Sequence, residues 1–203
     1  VSALRILDGY DEALRYLGRA EAAAVAADQI EQLSLIHYYR GNIYFPLGNI
    51  DGCLQEHSQA REFAHQAKLL EKEARALSGL GDAYYLRGQM ITASKMFDEC
   101  VTIIRQHDLT IIEPVNLSMR GHTALYMDRI QEGLADVGAA AERAALSGNR
   151  RAEMVARGSC AGKLQFDNQD YVSAKKSCGR ALDLARQLGA RRFEPANQVP
   201  LAK

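Results

Sequence analysis

A forty-residue period runs through this chain and limits what it can fold into. Four segments align on a leading glycine: RGNIYFPLGNIDGCL from Arg40, LGDAYYLRGQMITAS from Leu80, RGHTALYMDRIQEGL from Arg120 and AGKLQFDNQDYVSAK from Ala161. The glycines (Gly41, Gly81, Gly121 and Gly162) are 40, 40 and 41 residues apart. Twelve residues after each sits Cys53, Ala93, Gly133 or Ala174, and seven further on Ala60, Cys100, Ala140 or Ala181. Ala13 and Ala20 hold the same two slots of an earlier, incomplete unit. Ala, Gly and Cys supply about a quarter of the chain. In a fixed frame, ten small residues in ten slots is roughly a one-in-a-million chance. The register continues late: Glu113-Pro114-Val115-Asn116 is echoed by Glu194-Pro195-Ala196-Asn197, with Glu73 and Glu153 at or beside the same slot.

Each unit reads as two helices. Leu77, Leu80, Ala83 and Tyr84 have helical spacing, Gly88 interrupts, and a second helix starts near Met90 and carries Phe97, Val101 and Ile104. Gly9-Tyr10 and Asp170-Tyr171 open second helices in the same way. Pro114 and Pro195 suit a first helical turn, and Gly148 and Gly189 read as stops. No segment alternates with period two between hairpin signals, so strand content is expected to be near nil. Small slots let helices approach closely while Tyr44, Tyr84, Phe97 and Ile104 fill the remaining volume. A lone pair cannot bury its apolar face, so stacked neighbours supply the core.

These features resemble the tetratricopeptide repeat family over nearly the whole chain. Gly41, Tyr44, Gly48 and Ala60 carry the likeness in one unit, and Gly81, Tyr84, Gly88, Ala93 and Phe97 in the next. Asp128 and Gln169 depart from the pattern at the turn glycine, and His57 and Cys178 at the bulky aromatic of the second helix. The period of about 40 exceeds the family's usual 34, which implies longer helices. The expected fold is an all-α, tetratricopeptide-like α-α superhelix of antiparallel helix pairs, one solenoid domain over 1–203. Its units are an incomplete first repeat at 1–27, repeats at 28–67, 68–107, 108–148 and 149–189, and the start of a sixth at 190–203. The tail LARQLGARRFEPANQVPLAK also resembles repeat regions of large bacterial signalling proteins. There such repeats follow an ATPase module and often a class III adenylate/guanylate cyclase domain. The opening at Val1, with neither initiator Met nor signal sequence, fits an excised piece of such a protein.

Charge and chemistry narrow the function. Twenty-five basic and 25 acidic residues give zero formal net charge, against a dedicated nucleic-acid binder. No apolar run is long enough to span a bilayer. Cys53, Cys100, Cys160 and Cys178 lack CxxC or zinc-ligand spacing, pointing to reduced thiols in the cytoplasm. Cys53 and Cys100 occupy core slots. His37, His57, His65, His107 and His122 form no HExxH, and the chain has no GxxxxGK[ST]. Gly79-Leu80-Gly81 lacks the preceding strand of a dinucleotide loop. Arg150-Arg151 and Arg191-Arg192 each follow a helix-ending glycine and read as solvated turns. Ala20 to Ala27 reads as a strong helix former. No catalytic, metal or cofactor site is expected.

The resemblance implies that the first helix of each pair lines a concave groove. Its groove positions fall on Tyr38, Tyr39, Asn42 and Phe45, then Arg75, Asp82 and Tyr85, then Ser118, His122 and Tyr126, and finally Ser159, Lys163 and Phe166. Several tyrosines could equally be filler between layers. Aromatics beside single charges suit a protein or peptide segment. The family's clamp for chaperone tails needs Lys and Asn at set positions, and only Asn42 matches. The expected function is a non-catalytic interaction or scaffolding module, the regulatory region of a larger bacterial signalling protein. The partner would be a protein or peptide segment, including the catalytic part of its own full-length chain. The alternative is a small-molecule sensor controlling an attached ATPase, cyclase or transcription-control domain. A homodimer through the chain ends is a third expectation.

Overall fold

The computed structural model describes residues 9–190, except the side chains of Ser159 and Cys160. The sixth-repeat start, Arg191-Arg192 and the Glu194-Pro195 echo lie outside the described residues. All regular structure among the described residues is helical. It falls into two compact units, 1–108 and 109–203. The first holds α1 (Tyr10–Ala26), α2 (Ile30–Tyr44), α3 (Ile50–Gln66), α4 (Leu70–Leu86) and α5 (Met90–Gln106). The second holds α6 (Glu113–Leu125), α7 (Ile130–Leu146), α8 (Arg150–Val155), a π segment (Ala156–Gly162), α9 (Lys163–Asp167) and α10 (Tyr171–Gln187).

The backbone repeats every half-unit. Nine described residues have positive φ: Asp28, Gly48, Lys68, Gly88, Asp108, Asp128, Gly148, Gln169 and Gly189. They recur every 20 residues, with one step of 21 from Gly148 to Gln169. Each ends a helix in the left-handed conformation, and at most of them the following N–H bonds back five residues, as Gln29 to Ala24 O and Gln89 to Tyr84 O, both within 3.0 Å. Asp128 and Gln169 thus do the work of the turn glycine, with φ of 60° and 62°. Three residues then suffice to reverse the chain between 17-residue helices such as α3, α4 and α5. The α6 helix starts late, at Glu113, because a helix begun at 110 would carry Pro114 past its first turn, where the missing N–H and the clash with the carbonyl four residues back are costly. Pro114 therefore sits at the beginning of the helix.

The leading glycines have a common purpose. A Cβ on Gly41 would meet the His57 ring at 2.7 Å, one on Gly81 the Phe97 ring at 2.6 Å, and one on Gly121 the Val137 Cγ1 at 2.7 Å. On Gly162 it would collide with Cys178 Sγ. In every unit the residue 16 positions on fills the hollow its glycine leaves, and Cys178 and His57 occupy the slot of the absent aromatic. Gly121 and Gly133 go further, each facing the other's carbonyl oxygen with no side chain between them.

The longer step is absorbed in one place. Glu73, Glu113 and Glu153 are 40 residues apart, whereas Gly121 and Gly162 are 41 apart, so the extra residue lies between 153 and 162. The π segment occupies 156–162. A π turn spends one more residue than an α turn, so the insertion widens the helix locally and leaves Gly162 opposite Cys178.

Candidate functional site

Two first helices of the first unit carry the clearest candidate surface. Tyr38, Asn42 and Phe45 are spaced by four and three residues along α2, and Arg75, Asp82 and Tyr85 by seven and three along α4, so each set forms one stripe. Both stripes are rotated away from Gly41 and Gly81, which face the second helices. Arg75 ties them together: its guanidinium bonds Glu71 Oε1 at 2.9 and 2.7 Å and also bonds the Tyr38 side chain. Tyr39 instead turns into the core of Leu17, Leu33 and Ile36, with its ring 5.6 Å from that of Tyr38.

Two polar groups on these stripes are unspent. Asn42 Nδ2 is buried and donates to nothing among the described residues. Asp82, in the same slot one repeat later, is half-buried, and neither a hydrogen bond nor an ion pair reaches its carboxylate among the described residues. Burial alone pushes its carboxyl up to about 7. The thiols of Cys53 and Cys100 lie close by, pushed up to about 12 chiefly by burial, with the Asp82 charge adding to it. These thiols stay protonated and unreactive at neutral pH.

His57 lies behind the Tyr38 stripe. It is 1% exposed, held between Gly41 and Gly79, and edge-on to Tyr38 at 5.7 Å. Among the described residues its Nδ1 finds no hydrogen-bond partner, and burial lowers its pKa to about 4. Sequence reasoning placed it in the aromatic slot but gave no hint of complete burial.

A separate polar network joins α1, α2 and α3, and the repeat pattern did not reveal it. His37 Nδ1 lies 2.6 Å from Glu56, Arg40 bonds Glu21 at 2.5 Å and Glu56 at 3.3 Å, and His37 stacks on Phe63. Burial opposes ionisation of Glu56, but His37 and Arg40 outweigh it and hold the carboxyl below its usual range. Three residues provide a repeat-specific signal that was legible: Glu73, Glu113 and Glu153 are all buried, and Glu113 pairs with Arg143 while Glu153 holds Arg157 and Arg180 at 2.9 and 3.1 Å.

In the second unit, Ser118 is buried and donates to Pro114 O at 2.8 Å, which uses its hydroxyl. Tyr126 is exposed, and Lys163 pairs with Asp167 at 2.6 Å. Phe166 packs edge-on to Tyr171 at 5.4 Å. The side chain of Ser159 lies outside the described residues. Arg150 and Arg151 are exposed in the first turn of α8 behind the Asn149 cap.

One further concavity, of about 690 Å³, runs between α1 and α2 and is lined by Leu17, Ala20, Ala24, Leu35, Ile36 and Tyr39. Ala20 is exposed there, while Ala60, Cys100, Ala140 and Ala181 in the same slot are fully buried.

Solved structures share this architecture. A Rap protein complexed with competence and sporulation factor matches 98% of this chain and 55% of its own, at 12% identity and a TM-score of 0.85. The fold is a tetratricopeptide-like solenoid. A signal transduction ATPase with numerous domains from Pyrococcus horikoshii, with a tetratricopeptide repeat sensor, matches 98% of this chain and 30% of its own (16% identity, TM-score 0.78). BtubC from P. vanneervenii matches 88% and 74% (13% identity, TM-score 0.72). No family model matches the sequence. Among curated proteins, outer dynein arm-docking complex subunit 4 is 32% identical over 69 residues in Danio rerio and over 68 in Xenopus laevis. Those segments cover 34% of this tetratricopeptide-like chain and 14% and 13% of the relatives.

Proposed function

We propose that the chain is a non-catalytic interaction module that holds a protein or peptide segment along its first-helix stripes. The observation that carries this reading is the pairing of the α2 and α4 stripes. Arg75 and Tyr38 fix two faces side by side, leaving aromatic rings on the same stripes as an Asn amide N–H donor and an Asp carboxylate that find no hydrogen-bond partner among the described residues. Buried polar groups are usually satisfied, so unspent ones on an accessible face favour a ligand that completes them. The Rap neighbour was crystallised with competence and sporulation factor, which is consistent with this use of the fold.

The module is read as the regulatory region of a larger bacterial signalling protein, acting in the cytoplasm. The catalytic part of its own chain is one partner this allows, and a second copy is another. In a pull-down from source-organism lysate, a partner enriched by the native chain and lost with a folded Tyr38→Ala/Tyr85→Ala/Phe166→Ala variant is expected. Equal recovery by both proteins would refute the assignment.

A sensor reading has one specific support, the solved ATPase whose repeats are described as a sensor. A metabolite that raises the melting temperature of the native chain but not of the triple variant would favour it, because ligand binding to the native state alone stabilises that state.

A further inference from the structure

The ligand chemistry of the α2–α4 face follows from what Asp82 and Asn42 lack. This inference rests on the interaction reading above and gives that site a ligand class. Asp82 has no cation, hydroxyl or amide on its carboxylate among the described residues. The thiols of Cys53 on α3 and Cys100 on α5 feel its charge, but both are neutral and supply no countercharge. Arg75, on the same helix two turns away, is committed to Glu71 and Tyr38. A half-buried carboxylate left without a counter-ion is the costlier choice at such a position, and an asparagine would trouble the fold less.

The neighbouring slot on α2 is complementary. Among the described residues, Asn42 Nδ2 is a buried donor without an acceptor, one repeat before an acceptor without a donor. α2 and α4 touch directly. Tyr38, Phe45 and Tyr85 stand on the same stripes, with Phe45 39% exposed. Aromatic faces accept the alkyl stem of a long side chain and the charge at its end.

We propose that this face binds a basic residue of a peptide, its ammonium or guanidinium on the Asp82 carboxylate and a main-chain carbonyl on Asn42 Nδ2. The cation replaces the solvation that Asp82 gives up, and the carbonyl satisfies the remaining donor. The charge match selects among peptides, while the rings supply sequence-tolerant contact.

The test is a random-heptapeptide display selection at pH 8 against the native chain, Asp82→Asn and Tyr38→Ala. Peptides enriched by the native chain are expected to share Lys or Arg at one position. A synthetic copy of the leading peptide should bind at least tenfold more weakly to Asp82→Asn, and equally weakly when its basic residue is replaced by norleucine. Asp82→Glu should restore the preference, and circular dichroism confirms that each variant is folded. Enriched peptides without a shared basic residue, bound equally by Asp82→Asn but lost with Tyr38→Ala, would overturn the charge assignment and leave the interaction reading standing. No enrichment, or peptides indifferent to both variants, would overturn both.

Discussion

His57 and Asp82 are expected to oppose each other in the pH dependence of stability. His57 has a folded-state pKa of about 4 against an ordinary 6.5, so acidification protonates the unfolded chain first and weakens the fold between these values. Asp82 has a folded-state pKa of about 7 against 3.8, so acidification protonates the native state first and strengthens the fold over that window. Going from pH 8 to pH 5, the His57 shift amounts to a loss of about 2 kcal/mol. The Asp82 shift amounts to a gain of about 2–3 kcal/mol, the lower end allowing for the solvent it keeps. The two nearly cancel, and the single variants separate them. Urea unfolding followed by circular dichroism should show Asp82→Asn losing about 2 kcal/mol between pH 8 and pH 5, and His57→Phe gaining a similar amount. The double variant should follow the native profile to within about 1 kcal/mol. The carboxylates that His37, Arg40, Arg157 and Arg180 hold down titrate below this window and act alike in all four proteins. Superimposable pH profiles for the native chain and both single variants would refute the reasoning.

Three further outcomes test the packing. Gly121→Ala, whose Cβ would meet the Gly133 carbonyl at 2.8 Å, should cost about 1–3 kcal/mol, whereas Gly138→Ala, with open space around it, should add about 0.5–1 kcal/mol. Both are read from urea midpoints. Lys68→Gly relieves a φ of 56° and should raise stability by about 1 kcal/mol, while Gly88→Ala, at φ 78°, should lower it by a similar amount. Deleting Ser159 removes the extra residue of the π segment. Amide exchange should then show continuous α-helical protection from Arg150 to Asp167, and unchanged exchange there would contradict the insertion account.

The sequence showed the helix pairs well because the repeat samples each constraint several times. Any one glycine could serve several purposes, but four in register, each followed 16 residues later by a residue that fills its hollow, have only one common explanation. A one-residue insertion was legible too, since the Glu spacing stays at 40 while the Gly spacing changes to 41, but its absorption in a π segment was not. The His37–Glu56–Arg40–Glu21 network was not, because it occurs once and a period carries no information about a single instance. The groove residues were only partly separable. Tyr38 and Tyr39 are adjacent in sequence, yet the hundred-degree helical step sends one to the stripe with Arg75 and the other into the core. Asp82 was named as a groove position, but its lack of a counter-ion among the described residues could be seen only once Arg75 was found bonded to Glu71 and Tyr38.

The claim that α2 and α4 together form the binding face is tested most directly by nuclear magnetic resonance of the isotope-labelled chain, titrated with the leading display-selected peptide. Chemical-shift changes should concentrate at Tyr38, Asn42, Phe45, Arg75, Asp82 and Tyr85 and vanish in Asp82→Asn. Changes confined to the second helices, or to the concavity between α1 and α2, would contradict it.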